Sequence, residues 1–322
     1  VRKIAAILVM LVGVVLIVVT FTNNLFKVGP AFEGLIGDFR PLIAQSAIDT
    51  SRQDLAGLTA VGNEFQTKIA PGVSQQLGMT PEQFSGMVTQ QFPAVDAGLK
   101  AIPQAVPTFT GLLGTLQAQR PLFESADAIP TTSLSATTVP WAMLATGVLM
   151  LVIGVVIWFS RRLGALLALI LGAALVVVPL LLSLPQKAAD ADELNKNLQP
   201  VYTQALVDQT KQTVSTVGAM GAELQAKMLP ALTTQLKMTP EQLQSFLGQN
   251  APTTAAALTT FPATMQRFQG LATSFADNLD NYAVLKPARF VPIIWTLIGG
   301  GVALLLLGLL ALFGAAGEGR RS

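Results

Sequence analysis

Cysteine and histidine are both missing from this 322-residue chain, and Lys, Arg, Asp and Glu together make up only 12% of it, about half the charged share of an ordinary soluble domain. Without cysteine there is no disulfide, no thiolate nucleophile and no zinc site of the usual kinds. Without histidine, the side chain that most often acts as a general base near neutral pH is gone. No Walker, Rossmann or HExxH pattern occurs, so the sequence calls for no cofactor and no metal.

What is plentiful is apolar: 51% of the residues, with a mean hydropathy of +0.55. The excess is gathered into four uncharged runs, 4–21, 141–160, 163–185 and 291–317. Each reaches the roughly 20 residues that a helix needs to cross the hydrocarbon of a bilayer. The expected architecture is therefore an all-α integral membrane protein with spans at 1–21, 140–160, 163–185 and 291–317. Between them lie two large polar segments, 22–139 and 186–290, a turn at 161–162 and a short tail at 318–322. The first run resembles a secretory signal in its charged start, but it is too long and no cleavage pattern follows, so it reads as a retained span.

Basic pairs set the orientation. Arg2 and Lys3 precede the first span, Arg161 and Arg162 join the second to the third, and Arg320 and Arg321 follow the fourth. Basic residues in short loops mark the cytoplasmic side, so both termini are expected inside a bacterial plasma membrane and both polar segments outside it. Counted this way the inner pieces carry +5, the first outer segment −3 and the second 0. The basic excess is thus a consequence of membrane orientation, and nucleic acid is not an expected partner. Trp141, Trp158 and Trp295 fall at predicted interfaces and read as anchors, with ligand stacking as the alternative.

Sliding the chain against itself by 159 residues aligns its halves without a gap from Arg2 to at least Pro103. The strongest stretch sets Met79, Thr80, Pro81, Glu82 and Gln83 on Met238, Thr239, Pro240, Glu241 and Gln242. The expectation is a parallel tandem duplication of a span, a helical extracytoplasmic domain and a returning span, the two copies related by an axis along the membrane normal. The matched motif reads as a helix start, Thr capping, Pro at the first position and Gln reaching back; ligand contact is the less favoured alternative.

Apolar residues recur every three or four positions in Leu55, Leu58, Val61, Phe65 and Ile69, and again in Val214, Val217, Met220, Leu224 and Met228, giving one apolar helix face in each copy. Glu64 with Lys68 and Glu223 with Lys227 are i, i+4 pairs and are expected to be solvated. Asp49 and Asp208 fall near the start of the same helices, where acids suit the dipole. Prolines at 71, 93, 103 and 107, and at 230, 252 and 262, are expected to break each outer domain into short helices. In the third span Gly164, Ala168 and Gly172 form a small-xxx-small seam, for packing inside the four-helix core or for docking to a partner's spans.

None of the four span cores holds an ionisable residue, which disfavours a self-sufficient ion-coupled transporter. The cytoplasmic pieces are too short to fold as an output domain. The Val1 start, expected of a GTG codon or of a chain lacking its first residues, accompanies the absent cysteines and the Ala-, Thr- and Gln-rich stretches 44–53 and 251–260. In these features the chain resembles actinobacterial, mycobacterial-type four-span envelope membrane proteins, including accessory subunits of MCE-type lipid transport complexes. It has no MCE domain pattern of its own. The resemblance implies a non-catalytic accessory or scaffold subunit of a cell-envelope complex linked to lipid transport, with membrane lipids and other envelope membrane proteins as partners. The alternative is a lipid-binding or lipid-translocating protein acting alone, its outer apolar stripes enclosing an acyl chain.

Overall fold

A computed structural model describes residues 2–131 and 134–313; it is 89% helical, with no strand among the described residues. In chain order the elements are α1 (Arg2–Thr22), α2 (Leu25–Phe39), α3 (Gln45–Glu64), a π-helical turn (Phe65–Ile69), α4 (Ala70–Gln76), α5 (Pro81–Gln91) and α6 (Pro93–Asp127). A 3-10 turn (Ala136–Thr138) leads into α7 (Val139–Phe159), followed by α8 (Arg161–Leu181), α9 (Leu184–Leu198) and α10 (Gln204–Glu223). A second π turn (Leu224–Met228), α11 (Leu229–Leu236), α12 (Pro240–Asn250), α13 (Pro252–Asp277), α14 (Leu279–Leu285) and α15 (Phe290–Phe313) complete the order.

These elements form two compact units, one of Val1–Asp38, Gln119–Pro200 and Asp280–Ser322, the other of Phe39–Ala118 and Val201–Leu279. Both polar segments thus contribute to the second unit, and their flanks belong with the spans. In the first unit α1, α7 with its leading turn, α8 and α15 are long and apolar enough to cross a membrane, which suggests a multi-pass membrane protein. Their outward faces carry Ile4, Val152, Ile170 and Leu306, all more than half exposed, while Val9, Leu16, Met150, Ile157 and Leu304 close the core.

Two helix pairs make this core, α1 along α7 and α8 along α15. A Cβ on Gly13 would stand 2.7 Å from the Gly147 carbonyl, and one on Gly172 would stand 2.8 Å from the Gly301 carbonyl. Glycine is what lets these backbones meet. Hydroxyls on α1 bond back to their own helix, Thr20 to the Leu16 carbonyl at 2.8 Å and Thr22 to Val18 at 2.9 Å, leaving no donor bare in an apolar setting.

Several boundaries differ from expectation. Arg161 and Arg162, expected to be a turn between spans, are the first residues of α8; the chain reverses at the extended Ser160. The third span ends at Leu181 and not at 185, because Ser183 takes a left-handed φ of 53° and α9 starts afresh at Leu184. Residues 314–317 of the fourth span and the tail 318–322 lie outside the described residues.

Prolines interrupt less than expected. α6 runs unbroken through Pro103, Pro107 and Pro121, and α13 through Pro262. All four lie on exposed helix faces, where water can serve the carbonyl that each proline leaves without a donor. Pro93 and Pro252 do begin helices, and Pro71 and Pro230 sit in the first turns of α4 and α11.

Element positions recur along the chain. α1 and α8, α2 and α9, α3 and α10, the π turns, and α5 and α12 all begin and end 159 residues apart. So do the left-handed residues, Asn24 with Ser183 and Gly78 with Lys237. In α7 and α15 the spacing contracts to 154, setting Trp141, Gly147 and Gly154 against Trp295, Gly301 and Gly308.

Candidate functional site

The motif residues start helices. Thr80 Oγ1 accepts from the Gln83 amide at 3.3 Å while the Thr80 amide donates to Gln83 Oε1 at 2.9 Å. Thr239 and Gln242 repeat this reciprocal box at 3.2 and 2.8 Å, satisfying two donors that a helix start leaves open. Pro81 and Pro240 occupy the first helical position, and Glu82 and Glu241 the first turn. The amides of Glu82 and Glu241 themselves, then Thr80 and Thr239, hold these two carboxyls below their ordinary pKa. Asp49 and Asp208, both exposed, each accept from the Gln four residues earlier at 2.8 Å.

Glu64 and Glu223 are not solvated as expected; both are buried, with 8% and 7% of their surface exposed. Their lysines do face solvent, Lys68 at 3.3 Å and Lys227 at 3.1 Å. Each carboxylate also reaches the start of a distant helix. Glu64 Oε2 accepts from the Thr254 amide at 2.8 Å and hydroxyl at 3.0 Å, at the head of α13. Glu223 Oε2 accepts from the Ala94 and Val95 amides at 2.6 and 3.1 Å, at the head of α6. Burial pushes the Glu64 pKa up, but the Thr254 amide and hydroxyl and Lys68 outweigh it, so the net shift is downward. Burial acts likewise on Glu223, where Lys227 and the Val95 and Ala94 amides prevail. A carboxylate at a helix N-terminus is held in its charged form by open amides and by the dipole. Each glutamate sits directly before a π turn.

A second carboxylate pair serves the first unit. Glu33 accepts from the Ser135 hydroxyl at 3.0 Å and the Ala136 amide at 3.1 Å, ahead of α7. Asp192, 159 residues later, accepts from the Phe290 and Val291 amides at 2.8 and 3.1 Å, at the head of α15. Sequence reading missed this pair; the acid-on-acid match at a spacing of 159 residues was the available signal.

The residues expected to act as anchors lie at the ends of the long apolar helices. The Lys3 ammonium lies 5.5 Å from the centre of the Trp158 ring. Arg161 donates through Nε to the Ala311 carbonyl and through Nη2 to that of Leu312, so a cation meets the C-terminal end of α15. These contacts bring the starts of α1 and α8 together with the ends of α7 and α15. Trp141 meets the Phe26 ring edge-on at 5.1 Å, and Trp141 and Trp295 are well exposed. Arg2 and Arg162 are exposed; Arg320 and Arg321 lie outside the described residues. The seam faces inward: Gly164 sits against the Ile157 backbone, Ala168 is fully buried, and Gly172 meets α15.

The second unit holds an open hollow of about 390 Å³ rimmed by Asp54, Thr260, Thr264 and Arg267, but its apolar stripes leave little room between them. Where the stripe residues Leu55, Leu58, Val214 and Val217 converge with the edge-on rings of Phe109 and Phe268, 5.0 Å apart, only about 20 Å³ remains, room for a water and not for an acyl chain. In the first unit a cavity of about 310 Å³ lies among the starts of α2, α7, α9 and α15, with Leu175 of α8 on its wall. Phe32, Met143, Leu184, Phe290 and Ile293 are among its lining, and among the described residues Thr138 and Thr146 are its only polar side chains. Thr138 gives its hydroxyl to the Ser135 carbonyl at 2.7 Å. The Glu33 and Asp192 caps fix the helix starts that form the wall. The size is at the lower end of the ligand-pocket range, and the lining offers water almost nothing to bond. Among the described residues no three His, Cys, Asp or Glu side chains group as a metal site. No protein-family model and no curated protein sequence matches this chain.

Proposed function

We propose that the chain is a non-catalytic accessory or scaffold subunit of a bacterial cell-envelope membrane complex linked to lipid transport. In this reading a tandem duplication gives two out-and-back membrane units related by an axis along the membrane normal. Both termini lie in the cytoplasm and the polar segments outside. The observation that carries it is the bundle of four apolar helices, closed inside by glycine contacts and clad outside in hydrocarbon, free of any ionisable core residue. The duplication is supported by helix bounds, left-handed residues, capping boxes and carboxylate caps that recur at a constant spacing. The non-catalytic role is supported by the employment of Glu33, Glu64, Asp192 and Glu223 as helix caps, the partner role by the resemblance to actinobacterial accessory subunits of MCE-type complexes. Purification from native membranes in mild detergent is expected to retain stoichiometric envelope partners and no nucleic acid; a partnerless monomer overturns the accessory role.

Sidedness has its own test. The chain has no cysteine, so Gly111→Cys and Gly270→Cys introduce single thiols where nothing crowds the added side chain. An impermeant maleimide applied to intact cells should label both; protection of both reverses the orientation. The second reading, lipid binding by the protein alone, is favoured by the apolar cavity of the first unit.

A further inference from the structure

The cavity among the helix starts is lined from both halves of the chain at once. Leu25 faces it with Leu184, Gly29 with Ala188, and Met143 with Leu297, each pair standing at the 159- or 154-residue spacing. It is therefore one chamber completed by both halves. Its exposed lining residues, Leu134, Thr138 and Ala142, flank Trp141. Aromatic rings of this kind settle at the level of lipid headgroups, so the chamber meets the outside at the edge of the hydrocarbon. An occupant has to be apolar, slender enough to pass beside Trp141, and abundant at that depth. Water fails on the first count, since the described lining presents two hydroxyls, one already engaged.

The geometry points to a lipid-chain site: the end of one acyl chain of a bilayer phospholipid enters beside Trp141 and packs between Met143, Leu184 and Ile293. This deepens the reading above and rests on the four helices crossing a bilayer. No bond forms or breaks; the gain is dispersion contact between the chain end and an apolar lining that water hydrates poorly.

The full chain is reconstituted in phosphatidylethanolamine–phosphatidylglycerol vesicles doped with a phospholipid bearing a diazirine near its acyl terminus, then photolysed and mapped by peptide. Label on the Met143 and Ile293 peptides is expected to saturate as the probe fraction rises, while label on the outward-facing Ile170 grows in proportion. Ala188→Phe, which fills the chamber from α9, should lower the Met143 label several-fold and leave Ile170 unchanged. Met143→Trp is the second filling variant and should do the same to the Ile293 label. The saturation readout uses the native sequence and stands even if both variants misfold. Non-saturating label at Met143, or label unchanged in both folded variants, overturns the site. No label at Met143 with normal label at Ile170 overturns it while leaving the membrane reading intact. Loss of label at both positions removes the membrane reading and the site with it.

Discussion

The glycine contacts between spans make a quantitative prediction. At Gly13 an added methyl would stand 2.7 Å from the Gly147 carbonyl oxygen and 2.9 Å from Met150 Cβ; at Gly172 it would stand 2.8 Å from the Gly301 oxygen and 3.0 Å from Leu304 Cβ. The obstructing oxygens are backbone, bonded within their own helices, so neither can swing aside as a side-chain tip would. Ordinary contact begins near 3.4 Å, so the backbones must part by roughly 0.7 Å along the crossing, an overpacking that costs about 1–3 kcal/mol. Replacing helical glycine by alanine returns up to about 1 kcal/mol of propensity. Gly299 is the control, because nothing lies within 4 Å of its added methyl, and there only the propensity gain applies. We predict that Gly13→Ala and Gly172→Ala each fall about 2 kcal/mol below Gly299→Ala, a factor of roughly 30 in the folding equilibrium. Thermal unfolding in detergent, followed by helix content, should separate them by several degrees. If Gly13→Ala and Gly172→Ala melt with or above Gly299→Ala, the close crossings are not what holds the pairs together.

Further outcomes follow from the caps and the backbone. Thr80→Ala and Thr239→Ala should each cost about 0.5–2 kcal/mol, read as faster hydrogen exchange at the Gln83 and Gln242 amides that the hydroxyls now accept from. Lys237 holds a left-handed φ of 56° where its counterpart is Gly78, so Lys237→Gly should stabilise by about 0.5–1 kcal/mol in thermal unfolding, glycine's entropy offsetting part of the strain relieved. Glu64 and Glu223 have pKa values lowered by folding. Their stabilisation is therefore full above the unfolded value near 4.5 and lost as pH falls through the folded one. The Glu64→Gln, Glu223→Gln double variant should lower the melting midpoint at neutral pH and flatten its fall below about pH 4.5; an acid limb identical to the parent's would exclude these carboxylates as its source.

The four long apolar helices were legible because charge-free apolar runs have few other uses, and the cap boxes because Thr-Pro-Glu-Gln carries its own hydrogen-bond partners within four residues. What was not legible depends on distant chain. The Glu64–Lys68 spacing looks the same whether the glutamate faces water or a second helix, and the amide and hydroxyl it accepts from belong to Thr254, 190 residues away. Pro103 and Pro107 differ from helix-breaking prolines only in which face they occupy, set by the packing of α6. The left-handed turns at Asn24, Ser183 and Lys237 use no glycine, so the usual marker was silent. The cavity draws its wall from well-separated segments, each of which alone reads as an ordinary apolar helix start or loop.

On the proposed duplication, the positions that keep their chemistry are those that hold backbone: Glu33 with Asp192, Glu64 with Glu223, Thr80 with Thr239. Those that diverge mark where the halves do different work. Arg267 grips Asp54 through Nε and Nη2 at 2.7 and 2.8 Å, whereas the counterparts at that spacing are Thr108 and Thr213. Around the cavity, Phe32 stands where the second half has Ala191, and among the described residues the exposed lining, Leu134, Thr138 and Ala142, comes from the first half alone. Two equivalent pockets would keep both mouths; one chamber on a shared axis has space for one occupant, and a single entrance suffices. We therefore predict a stoichiometry of one lipid per chain. Native mass spectrometry from mild detergent should show a single added lipid mass that Ala188→Phe removes. Two equivalent additions would mean that each half carries its own site, and the shared-chamber geometry could not then account for the binding.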